Sequence, residues 1–298
     1  VDTAGDSGTS MAQVSLTALA VASARAAETR RPDRLFDDAL AQHFIAAAGP
    51  DVPFTAGPAE STGPDGAARP GLEPLGDYVA IRTRFFDDFF TEAASAGCRQ
   101  AVILAAGLDT RAFRLDWPAG TRVFELDMPE LVAFKERVLT ERAAHPVAER
   151  VVVPVDLRTD WPAALLAAGL DADQPTAWLA EGLLPYLTPA DADRLLAGIS
   201  RLSPAGSRLA VEHIDPALFA HPRVRRTNEE IGFPADQLIQ GGPGRPPRRW
   251  LAEQGWHATA FTVAERARAY GRAVPPIFDP AGPDPVAGDN LVSATRVG

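Results

Sequence analysis

Five short apolar runs carry the fold: AVILAA (101–106), RVFELD (122–127), VVVPVD (151–156), TAWLAEG (176–182) and RLAVEH (208–213). Helical patterns fit among them at about 129–143, 160–168 and 189–202. Strands that are apolar almost without interruption must be covered on both faces, so the alternation predicts a parallel sheet with helices on either side. In an open sheet of this kind, ligands bind beyond the carboxyl ends of the strands.

The flanks read less regularly. Residues 1–10 are small and polar and are expected to be a frayed tail; 15–28 and 33–44 have helical spacing, and 49–71 is expected to be a flexible Gly/Pro/Ala loop. Residues 77–97 predict a long helix, with Val79, Ile81, Phe85, Phe86, Phe89 and Phe90 mostly three or four apart and Gly97 as its C-cap. Beyond 215 the pattern loosens into a helix at HPRVRRTNEEIG, a loop at GGPGRPP, a short helix ending at Gly255, and two closing strands, HATAFTV and NLVSATRV. The expected organisation is a tail and helical cap over 1–98 and a core over 99–298, with a lid insertion at about 215–250.

Composition excludes several functions. A net charge of −10 disfavours a nucleic-acid partner, which needs a positive face. No apolar stretch reaches the roughly 18–20 residues of a membrane span. Cys98 is the single cysteine, so neither a disulfide framework nor a cysteine metal cluster is expected, no metal is assigned, and the expected compartment is the cytosol. Lys135 is the only lysine, which leaves no Walker A loop and one residue for Schiff-base chemistry.

The strand ends bear the chemistry. In LAAGLDTRAFRL (104–115) a lone Gly107 lets the backbone turn and approach a ligand closely, without the three glycines that a pyrophosphate favours. Asp109 behind it repels phosphate and suits a cationic group such as an α-amino group. Asp127 ends the second run about 20 residues later, where a carboxylate meets ribose hydroxyls. Asp156 ends the third run, where it and Leu157 suit an adenine; Glu181 ends the fourth. Each has a plainer reading as a helix N-cap, a turn residue or a solvated loop acid, and Arg111 and Arg114 could pair locally with Asp109 or Asp116. Four acids at four successive strand ends describe a ligand with a ribose, an amine and a positive centre but no phosphate. S-adenosyl-L-methionine fits.

The segments LAAGLDTRAFRL, FELDMPELVAFK, VDLRTDWPAAL and AWLAEGLLPYL resemble the bacterial S-adenosylmethionine-dependent methyltransferases related to leucine carboxyl methyltransferase, a group that includes actinomycete polyketide O-methyltransferases. The resemblance implies an α/β, Rossmann-like class I methyltransferase fold: seven strands, mostly parallel, with an antiparallel hairpin at one edge, an N-terminal helical cap and a lid after the fifth strand. It implies that Arg82 holds the methionine carboxylate, with Arg25 as a further candidate, that Gly107 lines the methionine moiety, and that Asp127 takes the ribose. It places Asp156 and Leu157 at the adenine and Glu181 near the amino group. The family often has glycine where this chain has Ala105.

Catalytic candidates are His213, as a base at the end of the fifth run, and Tyr186, near cofactor or acceptor. The expected reaction is O-methylation of a small-molecule acceptor, a carboxylate or hydroxyl of a polyketide-like metabolite; the oligomeric state is left open. Arg223, Arg225 and Arg226 either hold an acidic acceptor or form a solvated face. Alternatives are methylation of a protein C-terminal carboxylate, a nicotinamide-dependent reductase, and a non-catalytic nucleotide-binding module. None of Tyr78, Tyr186 and Tyr270 has Lys four positions later, so the usual short-chain reductase pair is missing.

Overall fold

The computed structural model describes residues 6–49, 73–231, 233–286, 288 and 290–297. Residues 1–5 and nearly all of the expected 49–71 loop lie outside the described residues. The strands are β1 Gln100–Leu104, β2 Arg122–Asp127, β3 Glu149–Pro154, β4 Thr176–Ala180, β5 Arg208–Glu212, β6 Trp256–Phe261 and β7 Leu291–Arg296, in the order β3-β2-β1-β4-β5-β7-β6. β1 to β5 are mutually parallel, and β7 runs antiparallel between β5 and β6. The chain builds outward from β1 through β2 to β3, then returns to lay β4 on β1's other side. That reversal opens a crevice at the carboxyl ends of β1 and β4.

The helices are α1 Asp6–Thr29, α2 Ala41–Ala48, α3 Glu73–Ser95, α4 Arg111–Arg114, α5 Pro129–Glu141, α6 Trp161–Ala167, α7 Pro189–Arg201, α8 Ala217–Ala220, α9 Pro222–Ile231, α10 Ala235–Leu238, α11 Pro247–Ala252 and α12 Val263–Ala269. Strand alternation divides the core. Val102, Leu104, Phe124, Leu126, Trp178, Ala180, Leu209 and Val211 face one side and meet Trp161, Leu165, Leu195, Leu196, Ile199 and Trp250 from α6, α7 and α11. Ala101, Ile103, Val123, Ala177, Leu179 and Ala210 face the other, under the apolar stripe of α3 and Val263 and Ala267 of α12. This double covering is what uninterrupted apolar strands require.

Three expectations need correction. The tail reading of 1–10 fails from Asp6 onward, where α1 begins. The helix expected over 33–44 forms only from Ala41, because local polar groups take its amides: Glu28 accepts from Leu35 N (2.7 Å), Thr29 Oγ1 from Asp38 N (2.8 Å) and Asp38 from Ala41 N (3.2 Å). Trp250 and Leu251 of α11 are buried in the sheet core. Four of the five runs end early as strands, so Ala105, Asp156, Glu181 and His213 stand just beyond them. Gly97 does end α3: at φ +101° it lets Cys98 N bond Ala93 O and its own amide bond Ala94 O.

Close packing reserves one helical glycine. A Cβ added at Gly198 in α7 would stand 2.7 Å from Cζ2 of Trp161. That ring is wedged edge-on against Trp178, with centroids 6.1 Å apart and both residues buried, so it has nowhere to yield. A Gly-to-Ala change in a helix interior ordinarily gains roughly 1 kcal/mol; overpacking costs about 1–3 kcal/mol. Gly198→Ala is therefore expected to lower the thermal midpoint, measured by circular dichroism. A raised midpoint would show that the indole slot is loose.

Candidate functional site

The loop after β1 is shaped by two left-handed residues, Ala105 (φ +51°) and Gly107 (φ +50°). At Ala105 a non-glycine side chain carries roughly 1–2 kcal/mol of strain, a cost that gathers at functional sites. At Gly107 an added Cβ would meet nothing nearer than Ala18 Cβ at 3.8 Å. The backbone angle, not crowding from the protein, is what favours glycine there.

Asp127 holds this loop. Its Oδ2 accepts from Gly107 N (2.5 Å) and its Oδ1 from Met128 N (2.7 Å). Burial raises its pKa above the ordinary value, opposed by those two amides. Asp156 stands two residues beyond β3, where it accepts from Arg158 N (2.8 Å) and pairs with the exposed Arg158 guanidinium; these hydrogen bonds hold its carboxyl below the ordinary value. Leu157 is half-buried against the core.

Across β1, β4 and β5 runs a chain of buried ions. On α3, Asp87 pairs with Arg114 (2.6 Å) and Arg111 (2.8 Å). Arg111 Nη1 also pairs with Asp109 and, at 2.8 Å, with Glu181 Oε2. Glu181 Oε1 lies 2.8 Å from Arg82 Nε. Arg82 Nη1 donates to both oxygens of Glu212, each at 3.0 Å. Glu212, with no solvent exposure, also accepts from Tyr78 Oη and from Gly182 N (2.6 Å). Burial opposes the charges of Asp109 and Glu181. The Arg111 guanidinium, joined by Arg82 at Glu181, overcomes it and holds both carboxyls below their ordinary values. For Arg111 burial is likewise outweighed by Asp109, Glu181 and Asp87, and its pKa rises.

The structure therefore brings Arg82, Asp109 and Glu181 into one array, with Gly107 and Asp127 joined beside it. The cation that Asp109 meets is the chain's own Arg111 rather than a free amine. Arg25 donates to Leu108 O (2.6 Å) and Asp38 (2.8 Å), which ties α1 to the β1 loop. Burial raises the pKa of Tyr186, which hydrogen-bonds Thr17 of α1. His213 is half-buried past β5, and its amide donates to Asn290 O (2.8 Å). Lys135 is buried against Glu125 at 2.6 Å, so its amine is held as an ion pair. Arg225 and Arg226 are exposed on α9, as is Arg223. Glu212, Tyr78 and Asp87 were not singled out as site residues by the sequence. The available signal was a glutamate closing an apolar strand in step with Ala210, which faces α3.

The donor set suits S-adenosylmethionine. Asp127 is an acceptor carboxylate already oriented by two amides, with further lone pairs for hydroxyls. Arg82 Nε is buried and makes no hydrogen bond, because its close contact with Glu181 is not aligned as one. A buried guanidinium N–H without an acceptor is what a ligand carboxylate would satisfy. Glu181 beside it can accept from an ammonium.

Removing the centre of the array strands its partners. Arg111→Met leaves Asp87, Asp109 and Glu181 short of a cation, and breaking such a buried pair costs about 3–5 kcal/mol. The depressed carboxyls contribute stability in full above the ordinary carboxyl range and lose it as pH falls through their folded values. Urea unfolding is thus expected to show a large deficit for Arg111→Met at pH 7 and a smaller one at about pH 3, below the ordinary carboxyl range. An equal deficit at both would mean that only packing was lost.

The leucine carboxyl methyltransferase family matches residues 18–200. A Mycobacteroides abscessus protein assigned as an S-adenosyl-L-methionine-dependent methyltransferase is 44% identical over 278 residues, covering 91% of this chain and 89% of its own. One with the same assignment from Saccharopolyspora erythraea is 45% identical over 285 residues, covering 95% and 96%. The crystal structure of a protein assigned as a methyltransferase from Thermobifida fusca shares the fold, with a TM-score of 0.51 at 19% identity over 76% of this chain and 84% of that one.

Proposed function

Because this chain belongs to the leucine carboxyl methyltransferase family and is an S-adenosylmethionine-dependent methyltransferase, we propose that it transfers the methyl group to an oxygen of a small-molecule acceptor, a carboxylate in preference to a hydroxyl. A polyketide-like acid is the acceptor class we favour, and the cytosol the compartment.

The bound cofactor supplies an electrophilic methyl group on a sulfonium. Asp127 would accept from the ribose hydroxyls, each charge-assisted bond contributing roughly 1.5–3 kcal/mol. Asp156 and Leu157 would border the adenine. Gly107 would line the methionine moiety, whose carboxylate would take Arg82 and whose ammonium would take Glu181. These contacts orient the reactants, and their burial excludes water.

The observation that carries the carboxylate preference is the state of the two phenols on the elements that bound the crevice. Burial raises the pKa of Tyr78 well above ordinary, with the Glu212 charge adding to it, and burial also raises that of Tyr186. Tyr78 already donates to Glu212 and Tyr186 already hydrogen-bonds Thr17, so neither phenol is placed to remove a proton from an alcohol. A carboxylate is already ionised and needs no base. The hydroxyl alternative requires His213, which stands just past β5.

Incubation with methyl-labelled S-adenosylmethionine and small carboxylic acids is expected to give base-labile esters. His213→Ala should change that turnover by only a few-fold. Base-stable ethers, with turnover falling roughly 10²–10⁴-fold in His213→Ala, would overturn the carboxylate reading in favour of a base-assisted hydroxyl.

A further inference from the structure

Arg82 lies between two carboxylates that hold it differently. Glu212 takes Nη1 with both oxygens at 3.0 Å. Glu181 stands 2.8 Å from Nε, yet Nε makes no hydrogen bond. The guanidinium is thus gripped end-on by one acid and only approached along its side by the other. Two fixed points hold Glu212 itself: the hydroxyl of Tyr78, one turn before Arg82 on α3, and the amide of Gly182, which adjoins Glu181. Tyr78 is in turn packed by Phe278, their ring centroids 5.1 Å apart.

We propose that Glu212, fixed by Tyr78, is a positioning residue that keeps Arg82 from closing onto Glu181 and so reserves its Nε–H for the carboxylate of the cofactor's methionine. It rests on the reading that Arg82 receives that carboxylate. Without the end-on grip, the guanidinium is free to rotate into a full pair with Glu181. The ligand would then have to break that pair before binding. In Glu212→Gln the new amide N–H group also points donors at donors, toward Arg82 Nη1 or Gly182 N, which pushes the guanidinium the same way. Loss of the Glu212 charge acts oppositely, by strengthening the pull of Arg82 on an anion. The geometric effect wins because the competing anion, Glu181, is already 2.8 Å away.

Calorimetry with two ligands tests this on the full chain. S-adenosylmethionine carries the amino-acid end; 5′-methylthioadenosine has the nucleoside and thioether without it. Wild type is expected to bind the first more tightly. Glu212→Gln should weaken S-adenosylmethionine at least tenfold and leave methylthioadenosine within about twofold, and that unchanged affinity also certifies a folded site. Tyr78→Phe, which keeps the ring against Phe278, should show the same selective loss at about three- to tenfold, and it decides the matter if Glu212→Gln does not fold. Equal weakening of both ligands, no change for either, or tighter S-adenosylmethionine binding would overturn the positioning role. Failures of the underlying readings look different. Wild type without preference between the ligands would remove the role of Arg82, and wild type binding neither would remove the cofactor reading.

Discussion

The site depends on buried charge arranged in alternation. Asp87, Asp109, Glu181 and Glu212 share Arg82, Arg111 and Arg114 across α3 and the ends of β1, β4 and β5. Taking such ions out of water costs several kcal/mol each, and their attraction offsets this only when the geometry is good. Alternation supplies that geometry: Arg82 meets Glu181 and Glu212, Arg111 meets Asp87, Asp109 and Glu181, and Arg114 takes both oxygens of Asp87. The consequence is placement: α3 is locked over the crevice at one angle, and the loops after β1, β4 and β5 are fixed with it.

The rest of the fold serves this edge. Strand alternation sends Glu212 to the same side as Ala210, and therefore toward α3 rather than toward α7. α1 then reaches the crevice from outside, with Arg25 on the carbonyl of Leu108 and Thr17 bonded to Tyr186. Among the four strand-end acids, Asp127 is the one held by backbone amides without an ion pair. Burial raises its pKa against those two amides and the Lys135 charge, and the carboxylate keeps lone pairs for hydroxyl hydrogens.

The sheet was legible because buried parallel strands have to be apolar throughout, and β2 fell on the expected residues 122–127. Two kinds of feature were not. Where side chains take backbone amides, helical spacing misleads: Glu28, Thr29 and Asp38 hold 35–40 out of the expected helix. α12 carried its own signal, the capping box of Thr262 and Glu265, hidden by the loose pattern around it. In the site, the strand-end acids were visible one at a time as local residues. Their partners were not, because Asp87 and Arg111 are 24 residues apart and Tyr78 and Glu212 are 134 apart. Only the crossover topology makes them neighbours. Asp109 is different: Arg111, two residues on, was readable as a local partner beside the amine reading, and the structure pairs the two.

The central claim is that this edge is built for a nucleoside with a zwitterionic amino-acid end and not for a dinucleotide phosphate. Thermal unfolding of the full chain against increasing S-adenosylmethionine or NADPH tests it most directly, since a ligand stabilises only the state that binds it. The account predicts a midpoint that climbs with the logarithm of S-adenosylmethionine concentration and does not respond to NADPH. A midpoint indifferent to S-adenosylmethionine, or raised equally by NADPH, would contradict it.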